Sequence, residues 1–204
     1  MRYVLASEHR DHFAKQGHIS FDEVLPLDLI EKAEKIVTKN ERDLWRKYEA
    51  VKQLVFQRTC AHIAAELTRS PIVRIGFDQS LCANLPFPFS EMTYSLSDLS
   101  CMQPLLCGLM IRLTDGDLPA KTTVFCPCPE KRGSALFFSP KTLITLEPLC
   151  HLPEQKFLLV AYIGKQAMYV AREKDPFLHT LKSLGYAFGD HFNTATHPQV
   201  FSRY

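Results

Sequence analysis

From Ser7 to Leu67 the apolar residues recur at intervals of three and four, and beyond Pro71 they gather into short runs of β-branched and aromatic residues. The first spacing belongs to helices and the second to strands. Ser7 is placed to cap a short helix through Gln16, with Gly17 ending it in the left-handed conformation and a short strand following from His18 to Phe21. Pro26 opens a second helix, where its missing N–H costs nothing; Leu29, Ile30, Ala33, Ile36 and Val37 form one stripe, and Asn40 marks the end. A third and longest helix is expected from Asp43 to Leu67. Leu44, Trp45, Tyr48, Val51, Val55, Phe56 and Ile63 lie near one face of it, and Pro71 closes it.

The candidate strands are Ile72 to Phe77, Leu105 to Leu113, Thr122 to Cys126, Ser134 to Ser139, Leu143 to Leu146, Phe157 to Ile163 and Ala167 to Ala171, divided by Pro, Gly and Asp. No helical crossovers separate them, so a sandwich or barrel is expected and a parallel sheet is not. Asp175, Pro176 and the stripe Phe177, Leu178, Leu181, Leu184 read as a C-terminal helix stopped by Gly185.

Composition narrows this picture. A chain of 204 residues with 46% hydrophobic content can bury one substantial core, so 1–204 is read as one domain: 1–70 mainly helical, 71–172 a β core, 173–204 a helix and tail. The 24 Lys plus Arg against 22 Asp plus Glu leave no field of one sign to steer phosphate or anionic lipid, so nucleic acid is disfavoured as a partner. The longest apolar runs, such as Phe157 to Ile163, are far short of the roughly 20 residues of a membrane helix. Seven cysteines without framework spacing, and no apolar run after Met1-Arg2, point to the reducing cytoplasm.

Four segments carry a family resemblance. His12-Phe13-Ala14-Lys15-Gln16-Gly17-His18-Ile19-Ser20-Phe21 gives a helix, a glycine and a strand. Leu109-Met110-Ile111-Arg112-Leu113-Thr114-Asp115 gives a strand and an acidic turn. Gly133-Ser134-Ala135-Leu136-Phe137-Phe138 and Lys156-Phe157-Leu158-Leu159-Val160-Ala161-Tyr162 give later core strands. In this order they resemble the phytanoyl-CoA dioxygenase family of Fe(II)- and 2-oxoglutarate-dependent oxygenases, over nearly the whole chain. The resemblance implies an α+β fold. Its core would be a double-stranded β-helix (a jelly roll, cupin-like), with N-terminal helices packed on it and a short C-terminal helix.

The family's chemistry needs two histidines and a carboxylate on one face of the iron. The resemblance places the first histidine and the carboxylate near Ser95, Ser97 and Asp98, and the distal histidine near Ile144 or Thr145, yet no histidine stands at either place. A Ser or Thr hydroxyl is a poor replacement for imidazole. Lys156 falls near the arginine that meets the 2-oxoglutarate carboxylate, where it would bind an anion as a single point charge. A non-catalytic relative without cofactor is therefore expected, binding a small molecule or a protein; an active enzyme would need Fe(II), 2-oxoglutarate and unusual ligands, with Asp98, His151 or a C-terminal histidine as candidates.

Other constellations carry less. His9-Arg10-Asp11 is the only literal HxD, but in a helix residues two apart diverge. Cys126, Cys128, Cys150 and His151 have poor spacing for a structural zinc, and ordinary reduced thiols are preferred. Asp190, His191 and His197 form a polar cluster in a tail expected to pack back on the domain. Arg42, Arg46, Lys47, Lys52 and Arg58 motivate a DNA-binding regulator as the competing class, against which Glu41, Asp43 and Glu49 cancel much of the charge.

Overall fold

In a computed structural model, which describes residues 5–82, 85, 93–116, 127–145 and 154–203, the long strands are apolar on both faces because both are covered. The strands are β1 (His18–Phe21), β2 (Ile72–Cys82), β3 (Thr93–Ser95), β4 (Met102–Arg112), β5 (Ala135–Phe138), β6 (Leu143–Thr145), β7 (Lys156–Tyr169) and β8 (Gln199–Ser202). Six of them form one sheet in the order β1-β5-β4-β7-β2-β8 with antiparallel neighbours, and β3 pairs with β6 in a second, two-stranded sheet. The helices are α1 (Ser7–Gln16), α2 (Leu27–Ile36), α3 (Glu49–Val55), α4 (Arg58–Thr68) and the single turn α5 (Leu96–Leu99).

Alternation along the strands divides the interior into two cores. On β7, Leu158, Val160 and Tyr162 join the cluster built with Ile30, Ala33, Val51, Leu54, Ile63 and Ala64 of the helices. Phe157, Leu159, Ala161 and Ile163 join the opposite cluster, which holds Tyr94, Leu96, Leu99 and Ile144 of the β3–β6 corner. Each fully buried side chain of this size contributes about 1.5–3 kcal/mol. Gly108 of β4 faces Phe138 of β5, and a Cβ built on it would lie 2.1 Å from Phe138 Cζ, so the ring occupies the space that any side chain there would need.

The first two predicted helices and β1 are present, with Gly17 at φ 77° closing α1, but Ala6 and not Ser7 is the N-cap of α1, and α2 ends at Ile36, short of Asn40. The long third helix does not form. Asp43 takes φ 59°, a short 3-10 turn covers Leu44–Arg46, and α3 and α4 are separated at Gln57, whose ψ of 117° is extended. The Asp78 carboxylate is the competing force: it accepts from Leu44 N at 3.1 Å and Trp45 N at 2.9 Å and so captures amides that a continuous helix would leave to its own capping. The C-terminal helix is likewise reduced to turns and a 3-10 segment over Thr180–Leu184, ended by Gly185 at φ 87°. Two predicted strands, Phe157 to Ile163 and Ala167 to Ala171, merge into β7. The expected strand Thr122 to Cys126 lies outside the described residues. No described helix is long and apolar enough to cross a membrane.

The strand predicted from Ile72 to Phe77 runs on to Cys82 because its outer edge is covered twice. β8 pairs with Ile72, Val73 and Arg74, and farther along the segment 40–43 lies against it. There Asp43 N donates to Asp78 O and Ser80 N to Glu41 O, both at 2.9 Å, and Cys82 N donates to Asn40 Oδ1 at 2.6 Å. We call 39–45 the strap.

Candidate functional site

The β3–β6 corner contains the positions where the resemblance places a metal centre. Tyr94 and Ile144 stand opposite each other in the pairing and both are buried against Met110 and Leu159 of the main sheet. With Leu81, Ser95, Leu96 and Leu99 they line a space of about 20 Å3, room for one water and no more. The residues that point inward are thus a phenol ring and an alkyl chain, neither of them an iron ligand of the expected kind.

The four sequence-predicted vestigial positions lie around this space. Thr145 pairs with Thr93 on the other face, their hydroxyls 3.3 Å apart. Ser95 donates its hydroxyl proton to Asp98 Oδ2 at 2.6 Å and accepts from Asp98 N at 3.2 Å, which caps α5. Ser97 N donates to Pro140 O at 2.9 Å, and the Ser97 carbonyl accepts from Gln103 Nε2 at 3.0 Å. Ser95, Ser97 and Asp98 therefore serve the local turn, and Asp98 is itself exposed. Among the described residues no three His, Cys, Asp or Glu side chains group as metal ligands would.

Lys156 is turned toward the helices: Nζ donates to Glu34 O at 2.9 Å, satisfying a carbonyl in the last turn of α2. The cation that lies on the same strand face as Met110 is Arg112, which is fully buried. Its Nε and Nη2 donate to Gln155 Oε1 at 3.1 and 2.9 Å, and Nη1 and Nη2 reach the carbonyls of Glu130 and Gly116. Thr114 Oγ1 donates to the same Gln155 oxygen at 2.9 Å. This network ties the end of β4 to the start of β7. Sequence reading passed over Arg112; the available signal was a lone charge inside the apolar run Leu109 to Leu113.

A second concentration of polar groups runs along the outer edge of β2. Arg42, on the strap, is sandwiched between the rings of Phe77 and Phe177 at 4.1 and 4.2 Å, and Nη1 donates to Asp175 Oδ1 at 2.8 Å. Asp175 is buried and also accepts from Cys101 N and Phe177 N, each at 2.9 Å. Burial pushes the Asp78 carboxyl up to about 7, against its two amide donors and Arg42 and with help from the nearby Asp43 carboxylate. In the tail, Arg46 donates to Thr196 O and Arg74 to Phe192 O, both at 2.6 Å. His197 has Nδ1 within 3.0 Å of Thr196 Oγ1 and 3.3 Å of Tyr186 Oη; burial, then Arg46 and Arg74, hold it down to about 3.

These contacts place the remaining candidates. His197 is buried among Tyr186 and Phe192, Asp190 accepts from Ala187 N, and exposed His191 bridges to Met168, contacts that pack the tail back on the domain. His9, Arg10 and Asp11 lie in α1, with Arg10 paired to Glu66. Of the basic residues that motivated a DNA-binding face, Arg42 and Arg46 are committed to Asp175 and Thr196, and Lys47 and Lys52 pair with Glu41 and Glu49. Cys126, Cys150 and His151 lie outside the described residues.

No family profile and no curated protein matches this sequence. Solved structures do match its shape. The non-heme α-ketoglutarate-dependent epimerase SnoN of nogalamycin biosynthesis aligns over 95% of this chain and 97% of its own, at TM-score 0.74 and 12% identity. The α-ketoglutarate-dependent carbocyclase SnoK of the same biosynthesis aligns over 96% of each chain at TM-score 0.72 and 13% identity. CT296 from Chlamydia trachomatis aligns over 79% of this chain and 96% of its own, at TM-score 0.51 and 21% identity. The chain has a fold of the 2-oxoglutarate oxygenase type.

Proposed function

We propose that this protein is a non-catalytic, phytanoyl-CoA dioxygenase-like relative of the Fe(II)/2-oxoglutarate oxygenases that keeps the double-stranded β-helix and acts by binding a small ligand or a partner. The observation that carries this reading is the pair of inward positions on β3 and β6, Tyr94 and Ile144, facing each other over an apolar space. The group that the fold family implies does not fit there: an iron site needs imidazoles and a carboxylate converging from these strands, and the nearest carboxylate, Asp98, is held by its own capping serine. The cation that would meet 2-oxoglutarate, Lys156, is spent on a helix carbonyl. The protein then uses the fold as a scaffold, and the function lies in surfaces and clefts grafted on it.

The test is direct. Purified full-length protein is titrated with Fe(II) and 2-oxoglutarate under anaerobic conditions by calorimetry, then exposed to oxygen with succinate measured. No saturable joint binding and no succinate above a protein-free control are expected. Stoichiometric iron binding with succinate release would overturn the reading and return the protein to the enzymes.

A further inference from the structure

The space between the two sheets is small, but a roomier concavity of about 120 Å3 lies outside it, walled by Ile36, Thr38, Lys39, Glu41, Leu44 and Tyr48 where α2 runs into the strap. Where the corner has room for one water this has room for several, enough for a ligand of some six non-hydrogen atoms seated partly in the mouth. Of its lining residues, Leu44 is buried and Tyr48 is 42% exposed.

The polar groups at this concavity are not balanced. Glu41 is already occupied: its carboxylate pairs with Lys47 at 3.5 Å, and its main chain is held by Ser80. The Lys39 ammonium has no ion pair and the Thr38 hydroxyl no hydrogen bond among the described residues, whereas the Lys39 carbonyl is taken by Ser80 Oγ at 2.6 Å. What remains unclaimed on these two consecutive residues is one cation and a hydroxyl able to donate beside it, and an unpaired cation at a concavity that also meets Leu44 and Tyr48 suits an anion with a short apolar body. An amine would bring a second positive charge to the unpaired Lys39 ammonium, and a neutral alcohol would leave that ammonium unmatched.

We propose that this concavity binds a small organic carboxylate, its oxygens on Lys39 and Thr38 and its short apolar body over Tyr48, Leu44 and Ile36. The site is independent of the inter-sheet corner, so it stands whether or not the corner is catalytically silent. It also adjoins the strap, whose main chain holds β2, so occupancy would stiffen the edge of the sheet.

The probe is butyrate, with 1-butanol and butylamine as controls of the same size. In amide and aromatic NMR spectra of the full chain, butyrate is expected to produce saturable, millimolar shifts confined to Thr38, Lys39 and Tyr48. Lys39→Met should weaken that binding about tenfold, the worth of one charge-assisted hydrogen bond. The exposed Lys165→Met is the charge-matched control and should leave it unchanged. Lys39 is exposed, so its variant is expected to fold, which unshifted spectra elsewhere would verify. Equal shifts with butanol, non-saturating shifts, or equal affinity in Lys39→Met would each overturn the proposal.

Discussion

The β3–β6 corner and the outer edge of β2 divide the polar chemistry of this fold unequally. At the corner, the inward side chains are apolar and the hydroxyls and carboxylate of Thr93, Ser95, Asp98 and Thr145 bond one another at its margin. At the edge, the Arg42 side chain, Asp78 and Asp175 are buried and held by residues far away in sequence, and buried His197 is held by Tyr186 and Thr196 of the tail. Buried ionisable groups are costly and are tolerated where partners over-determine them. Their location here teaches that polarity in this chain serves to fasten segments together, while the β3–β6 corner is ordinary apolar core.

The largest expected effect lies at the edge. Arg42→Met keeps the volume and the ring contacts but strands the Asp175 carboxylate, and breaking one side of a buried pair costs about 3–5 kcal/mol. Urea denaturation would read this directly, and a loss below about 1 kcal/mol would show that the edge is not the fastening that it is taken to be.

Next comes the pH dependence. Asp78 keeps its proton in the folded state up to about 7, whereas the unfolded carboxyl loses it near 3.8, so its stabilising contribution is present below 3.8 and is lost as pH rises to 7. His197 runs the other way: neutral when folded, protonated below about 6.5 when unfolded, it costs stability as pH falls from 6.5 toward 3. Between about 4 and 6.5 the two slopes, each of about 1.4 kcal/mol per pH unit, cancel. Asp78→Asn removes one of them and should make stability rise with pH over that range. An unchanged flat profile in Asp78→Asn would refute the opposition of the two groups.

The corner should answer more quietly. Ser95→Ala loses the α5 cap and should cost about 1 kcal/mol, and Ile144→Val should cost about 0.5–1.5 kcal/mol as an ordinary core deletion. A corner substitution as damaging as Arg42→Met would erase the contrast. Smallest of all is Tyr162→Phe: the buried phenol oxygen has no hydrogen-bond partner among the described residues, so its removal should be neutral or mildly stabilising in the same denaturation experiment.

How far the sequence announced this arrangement depends on the range of the forces involved. α1, Gly17, β1 and α2 were legible because a left-handed glycine, a helix-opening proline and a 3.6-residue stripe are local signals. The break at Asp43 was not, since the carboxylate that captures Leu44 and Trp45 comes from Asp78. β7 was read as two strands because Gly164, Lys165 and Gln166 interrupt its apolar run, while pairing with β4 on both sides of that interruption, at Leu105–Ile163 and Gln103–Met168, carries one strand across it. At the site, the lack of histidines near Ser95 and Thr145 was plain from the sequence, but that Tyr94 and Ile144 are the residues facing inward follows only from the register. Lys156 and Arg112 show the same limit: charge was visible, direction was not.

The doubly covered edge of β2 has a consequence for how the chain is made. Its two covers, the strap at 39–45 and β8 at 199–202, are separated by more than 150 residues, and the second follows every other described strand in the order of synthesis. A nascent chain carrying β2, β4 and β7 but not yet β8 presents Ile72 to Arg74 as an unpaired, apolar strand edge, the kind that recruits neighbouring chains. Crowded synthesis, more than the finished fold, is where this protein is most exposed to aggregation.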